Sequence, residues 1–238
     1  MKTIVHTSDS RGFANHGWLK SHHTFSFASY YDANRMNFGA LRVLNDDVVQ
    51  PKMGFGTHPH ENMEIISIPL KGALSHKDSM GNKRAIEVDE VQVMSAGTGL
   101  THSEFNDSKT DEVNFLQLWI IPEEKNVIPN YEQRKFDTQD QVNQLQTLVA
   151  PKDKLEGEAL PISQQAYIYR SKLEAGKTLD IATKSPNNGL YVFVIEGALK
   201  IDDSTLGNRD AIGIYEFDGL TVEANEDSRF IVIEVPMN

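Results

Sequence analysis

The stretch Lys71-Gly-Ala-Leu-Ser-His-Lys-Asp-Ser-Met-Gly-Asn-Lys-Arg-Ala-Ile86 returns later in the chain as Glu196-Gly-Ala-Leu-Lys-Ile-Asp-Asp-Ser-Thr-Leu-Gly-Asn-Arg-Asp-Ala-Ile212. The Gly-Ala-Leu elements are offset by 125 residues and the Gly-Asn and Ala-Ile elements by 126, so order and spacing survive with one insertion. Each copy reads as strand, turn, strand, with Gly-Asn as the expected hairpin turn, since both residues tolerate positive φ. Such a repeat implies two related β-domains.

Outward from the repeat, short apolar runs rich in β-branched residues recur. They include Leu41 to Leu44, Glu64 to Leu70, Val91 to Met94, Phe115 to Ile121, Tyr167 to Tyr169, Leu190 to Ile195 and Phe230 to Val235. Gly, Asn, Asp and Pro clusters punctuate them, the pattern of a sandwich or barrel. Helical periodicity is weak; the best candidate is Thr138 to Leu148, capped by Thr138 or Asp140. The polar, Gln-rich segment from Asn126 to Gln165 reads as the connection between the halves. The expected division is residues 1–135, carrying a metal site, and residues 136–238, without ligands, whose barrel exchanges strands with the amino-terminal segment.

The 238 residues suffice for such a pair. No apolar run approaches the ~18 residues of a membrane span, and the polar start lacks a signal-peptide core, so a cytoplasmic protein without a membrane partner is expected. The net charge of −11 argues against direct contact with nucleic acid, which needs cationic side chains facing phosphate. It says nothing against a protein partner. With no cysteine, any transition metal must be held by imidazole and carboxylate, a donor set that accepts iron, manganese, cobalt, nickel, copper or zinc.

All eight histidines lie between His6 and His102, so histidine chemistry belongs to the first half. Thr57-His58-Pro59-His60 precedes the first repeat copy, and Gly97-Thr-Gly-Leu-Thr-His102-Ser-Glu104-Phe-Asn106 follows it. Side chains at i and i+2 on a strand share a face, so His58 with His60, and His102 with Glu104, can converge on one divalent cation inside a barrel. Three imidazoles and one carboxylate would leave room for one or two further ligands, as catalytic sites do. The second repeat copy is followed by no histidine.

These motifs resemble the cupin superfamily, on the evidence of His58, His60, Glu64 and Gly72, then Gly99, His102 and Asn106. More specifically the chain resembles the pirin family. The matching elements are Asn15-His-Gly-Trp18, His23-Thr-Phe-Ser-Phe27, Tyr30-Tyr-Asp32, Leu41-Arg-Val-Leu-Asn-Asp-Asp47, Gly56-Thr-His-Pro-His60, Asp78-Ser-Met-Gly-Asn82, Ser95-Ala-Gly-Thr-Gly-Leu-Thr-His-Ser-Glu104, Gln117-Leu-Trp-Ile-Ile-Pro122 and Tyr131-Glu-Gln-Arg134. They cover about the first 136 residues densely and the remainder by layout alone. The resemblance implies an all-β fold of two cupin (jelly-roll) barrels packed as a bicupin. It also implies Glu104 rather than Glu64 as fourth ligand of one divalent transition metal, with iron placed first.

Bacterial pirins of this type resemble quercetin 2,3-dioxygenases. That implies flavonol and dioxygen as substrates, Glu104 as the base for the 3-hydroxyl, and carbon monoxide with a depside as products. The competing implication is a metal-containing regulatory or binding protein with incidental flavonol cleavage. Phe55, Phe105 and Met53 are candidates for the apolar wall, and His23 for a substrate contact or a place beside the ligands. His16 and Trp18 read as anchors of the amino-terminal segment, His22 with His23 as a packed pair, His76 as a surface residue, and Arg42 as the partner of a carboxylate such as Asp46 or Asp47.

Overall fold

The computed structural model describes residues 1–237 and is almost entirely β-structure. Strand-forming runs pair into two seven-stranded and two four-stranded sheets, one of each size per half. In the first half the large sheet runs, in spatial order, Asn130–Lys135, Glu90–Ser95, Glu64–Lys71, Val113–Ile120, Leu41–Val49, Leu19–His23, Gly12–Asn15. Its small sheet runs Gly54–His60, Leu100–Phe105, Ala73–Asp78, Lys83–Glu87. In the second half the large sheet is Lys2–His6, Ala211–Tyr215, Asn188–Glu196, Ser228–Pro236, Tyr167–Leu173, Gln146–Pro151, Leu160–Ile162. Its small sheet is Thr178–Ile181, Leu220–Ala224, Leu199–Ile201, Ser204–Leu206. Neighbouring strands are antiparallel throughout, except that Gln146–Pro151 and Leu160–Ile162 run parallel. The all-β, two-barrel expectation holds. The first strand, Lys2–His6, closes the edge of the second half's large sheet through Ala211–Tyr215.

The repeat is real in topology and narrower in sequence than the motif matches imply. Gly72 and Gly197 hold equivalent places, where the chain passes from large sheet to small sheet at φ of +76° and +94°. Both lie close to backbone, a Cβ on Gly197 falling 2.5 Å from Asp227 O, so glycine is required there. The Gly-Asn elements are not equivalent. Gly81-Asn82 lies in the turn between Ala73–Asp78 and Lys83–Glu87, as expected. In the second copy Asp202-Asp203 turns the shorter hairpin between Leu199–Ile201 and Ser204–Leu206, with Asp202 at φ +51°. Gly207-Asn208 instead leads into Ala211–Tyr215 of the large sheet.

The helix expected over Thr138–Leu148 is a single 3-10 turn, Thr138–Gln141, with the Asp137 carboxylate accepting from Gln139 N. From Gln146 the chain is a strand that pairs with Tyr167–Leu173 and sends Leu148 into the core. Sheet pairing outweighs the local capping signals here. The supposed connection therefore supplies three strands.

Alternation along the large-sheet strands positions the site. Even-numbered residues of the first sheet, Leu44, Ile66, Leu116 and Leu118, join Tyr191, Phe193, Ile231 and Ile233 of the second sheet in one core between the halves. Odd-numbered Leu19, Val49, Ile65 and Phe115 face the first barrel's interior, as does Met94 of Glu90–Ser95, where the parity is reversed. Two apolar clusters lie on that side, one around Leu19, Val49 and Phe115 and one around Ile65, Met94 and Leu100. Asn45, Asp47, Ser67 and Gln117 share the odd parity, and this buried polar set is rare in a protein interior. The second half has a continuous apolar core instead, including Leu190, Val192, Leu199, Phe230 and Val232. Among the described residues Arg42 pairs with no carboxylate: its guanidinium donates to Ser26 O at 2.7 Å and Met36 O at 3.1 Å. Asp46 is met instead by Arg11 and Arg209, at 3.7 and 3.5 Å.

Candidate metal centre and cavity

His58 and His102 are direct register partners on adjacent small-sheet strands, and their Nε2 atoms lie 3.0 Å apart. His60, two residues from His58, turns its ring to 4.9 Å from each of the other two rings, centroid to centroid. The three side chains can each offer a ligand atom within 4.8 Å of the others. The i, i+2 spacing thus brings together the three histidines singled out in the sequence.

Glu104 takes a different position. The pairing register shifts between His102 and Glu104, so Glu104 lies opposite Phe55 instead of Gly56. The extra residue of this bulge lies in Gly54–His60, while the pairing of Leu100–Phe105 with Ala73–Asp78 runs on unbroken and sets Glu104 opposite His76. Glu104 groups with His102 and His76 as a second triad of ligand atoms within 4.8 Å, sharing His102 with the first. It still lines the same cavity as His58 and His60. Its Oε2 accepts from Gln117 Nε2 at 2.9 Å and its Oε1 from Ser67 Oγ at 3.3 Å.

His76 is not a surface residue. It is 1% exposed, stands opposite Glu104 in register, and meets Asp78 Oδ2 through Nε2 at 3.0 Å. The signal was present in His76 and Asp78, another i, i+2 pair, whose strand neighbours the one bearing His102.

Electrostatics fit a cation. Burial and the neighbouring His58 push His60 down to about 4, and burial with His58, His60 and His76 pushes His102 down to about 2. These two rings are therefore neutral at physiological pH. His58 Nδ1 lies 2.8 Å from Gly56 O, which holds the proton there and leaves a lone pair on Nε2. With the His102 Nε2 lone pair facing it, the arrangement is repulsive unless a proton or a metal ion lies between. His102 Nδ1 is buried with no partner among the described residues. The donor set and its lone pairs suit a transition metal. Burial also pushes the Glu104 carboxyl up to about 7, against the pull of Gln117 and Ser67. Glu64 touches neither triad; it accepts from Ser95 Oγ at 2.6 Å.

The cavity beside this cluster measures about 540 Å³, within the range of small-molecule sites. Trp18, Leu19, Phe27, Phe55 and Trp119 form much of its apolar wall, and His16 and His23 also line it. Phe55 and His23 thus border the space beside the cluster. Phe105 does not: it is 37% exposed and lines an outer groove with Ser103 and Asp107, because it has the opposite strand parity to His102 and Glu104. Met53 is likewise exposed and outside the cavity. His16 and Trp18, read as anchors alone, are wall residues too, since the Leu19–His23 strand and the turn before it border the opening.

Residues 5–120 match the family model described as Pirin, and residues 148–235 match the quercetinase C-terminal cupin domain. A quercetin 2,3-dioxygenase of Escherichia coli is 41% identical over 229 residues, 96% of each chain. The chain belongs to the pirin family. Another relative, a pirin-like protein of Caulobacter vibrioides, is 38% identical over 95% of this chain and 96% of its own. Among solved structures, a bacterial pirin of Escherichia coli in complex with nickel(II) superposes with a TM-score of 0.93 at 38% identity, covering all of both chains. Pirin membership accounts for the bicupin layout. The His/Glu clusters able to hold a metal ion among the described residues lie in the first barrel.

Proposed function

We propose that this protein is a metal-dependent dioxygenase that cleaves flavonols with dioxygen and releases carbon monoxide. The observation that carries the reading is the cavity itself. Flat aromatic walls enclose about 540 Å³, and one end presents two imidazoles together with a fully buried carboxyl. The relatives named for quercetin cleavage support it.

His58, His60 and His102 hold the ion, with Glu104 as the fourth, anionic group. When bound, the ion supplies positive charge that favours the ionised form of a hydroxyl beside it and assists the reaction with dioxygen. Glu104 takes the proton of the flavonol 3-hydroxyl, since a buried carboxylate on the cavity wall beside the histidines is placed for general-base work. Gln117 and Ser67 hold its two oxygens and so fix its direction. Gln117 is itself fixed, accepting from Trp119 Nε1 at 3.3 Å. Trp18, Phe27, Phe55 and Trp119 hold the flat ring system and exclude water from it. The flavonol and O2 are consumed together, giving one CO and one depside.

Metal analysis of the purified protein, paired with assays of quercetin loss and CO release, tests this. His102→Ala is expected to lose most of the bound metal and the activity together. A metal-loaded wild type that releases no CO from quercetin sinks the reading.

A further inference from the structure

A row of polar side chains crosses the floor of the first barrel. Ser67, Gln117, Asn45 and His23 are successive register partners on four neighbouring strands. Asp47 and Ser21, partners of one another, lie one step further along the same strands. Glu104 occupies the hydrogen-bonding capacity of Ser67 and Gln117 at one end. The other four are 1–4% exposed, and all of them line the cavity. Burying four such groups costs free energy that an apolar floor would avoid.

Their bonds to one another are incomplete. Ser21 Oγ donates to Asp47 Oδ1, which leaves Oδ2 able to accept. His23 Nδ1 donates to Asn45 Oδ1 at 3.0 Å, which leaves the Asn45 amide hydrogens to donate. An acceptor and a donor side by side on a cavity wall match a phenolic hydroxyl, which both donates and accepts. The walls around them suit the aromatic ring that carries it.

We propose that Asp47 and Asn45, positioned by Ser21 and His23, form a hydroxyl-reading subsite that selects polyhydroxylated flavonols over those bearing the 3-hydroxyl alone. This rests on the flavonol reading above and deepens it. Burial pushes the Asp47 carboxyl up to about 7, and in either protonation state it can bond a hydroxyl.

Both tryptophans of the chain, Trp18 and Trp119, line this cavity, so quenching of intrinsic fluorescence reports its occupancy without turnover. Quercetin and unsubstituted 3-hydroxyflavone would each be titrated into metal-loaded wild type, Asp47→Val and Asp47→Asn, and kcat and KM measured for the same pairs. Wild type is expected to prefer quercetin at least tenfold, in both affinity and KM. Asp47→Val is expected to bring that ratio within about threefold, and Asp47→Asn to lower it severalfold. Should Asp47→Val fail to fold, the Asn variant carries the test. A wild type without preference, or variants that keep the wild-type ratio, overturns the subsite. Preferential binding of quercetin without CO release would sink the dioxygenase reading and uphold the hydroxyl-reading subsite. Failure of both flavonols to quench overturns both.

Discussion

Glu104 carries two burdens that one substitution separates. It is fully buried, and its carboxyl titrates near 7 against an ordinary 4.5. Because the folded value is raised, the folded state holds a proton that the unfolded chain gives up once pH passes 4.5. The metal-free protein therefore loses stability from this group as pH climbs from 4.5 to 7, on the order of 3 kcal/mol by linkage. Glu104→Gln removes the titration. Relative to wild type, the metal-free variant is expected to gain in melting temperature between about pH 5 and about pH 8, as calorimetry would read. The metal-loaded variant should keep much of its metal through the three histidines while kcat falls by about 10²–10⁴. Equal loss of metal and rate would demote Glu104 from base to ligand.

At the scale of elements, strand parity explains both what was legible and what was missed. The i, i+2 spacing is enough to put His58, His60 and Glu104 on the cavity wall and His102 beside the other two imidazoles. The same parity should have excluded Phe105 and admitted His76, whose burial arises from strands far apart in sequence. What parity cannot reveal is that Glu104 stands opposite His76, or that an extra residue in Gly54–His60 sets it opposite Phe55, since both depend on the register between strands. The Thr138–Leu148 reading failed for a similar reason, a local cap overruled by pairing with Tyr167–Leu173. The hairpin that bears His76 has its own keystone. Asp78 accepts from Met80 N at 2.9 Å, Asn82 N at 3.0 Å, Asn82 Nδ2 at 2.8 Å and His76 Nε2 at 3.0 Å. Asp78→Ala removes all four bonds and leaves a buried imidazole without its partner. It is expected to cost about 2–4 kcal/mol in urea denaturation, and a cost below half a kcal/mol would show that the turn holds without it.

Across the whole molecule, the two halves share their largest core. Leu44, Ile66, Leu116 and Leu118 from one sheet pack with Tyr191, Phe193, Ile231 and Ile233 from the other, each such side chain contributing about 1.5–3 kcal/mol by burial. The chain ties the halves further. Lys2–His6 precedes the first barrel in sequence but pairs in the second half's sheet, and His6 Nδ1 lies 2.7 Å from Tyr191 Oη. Arg170 reaches across to Asp89 at 3.0 Å. Neither half can lose its fold without exposing an apolar face of the other, so unfolding is expected to be one cooperative transition. The two tryptophans make this checkable, since both lie in the first half and fluorescence reports on that half alone. Far-ultraviolet circular dichroism reads the strands of both. In urea, the two probes should give the same midpoint and the same slope. A fluorescence transition that precedes the dichroism change would mean that the second barrel stands by itself, with the shared core adding too little to couple them.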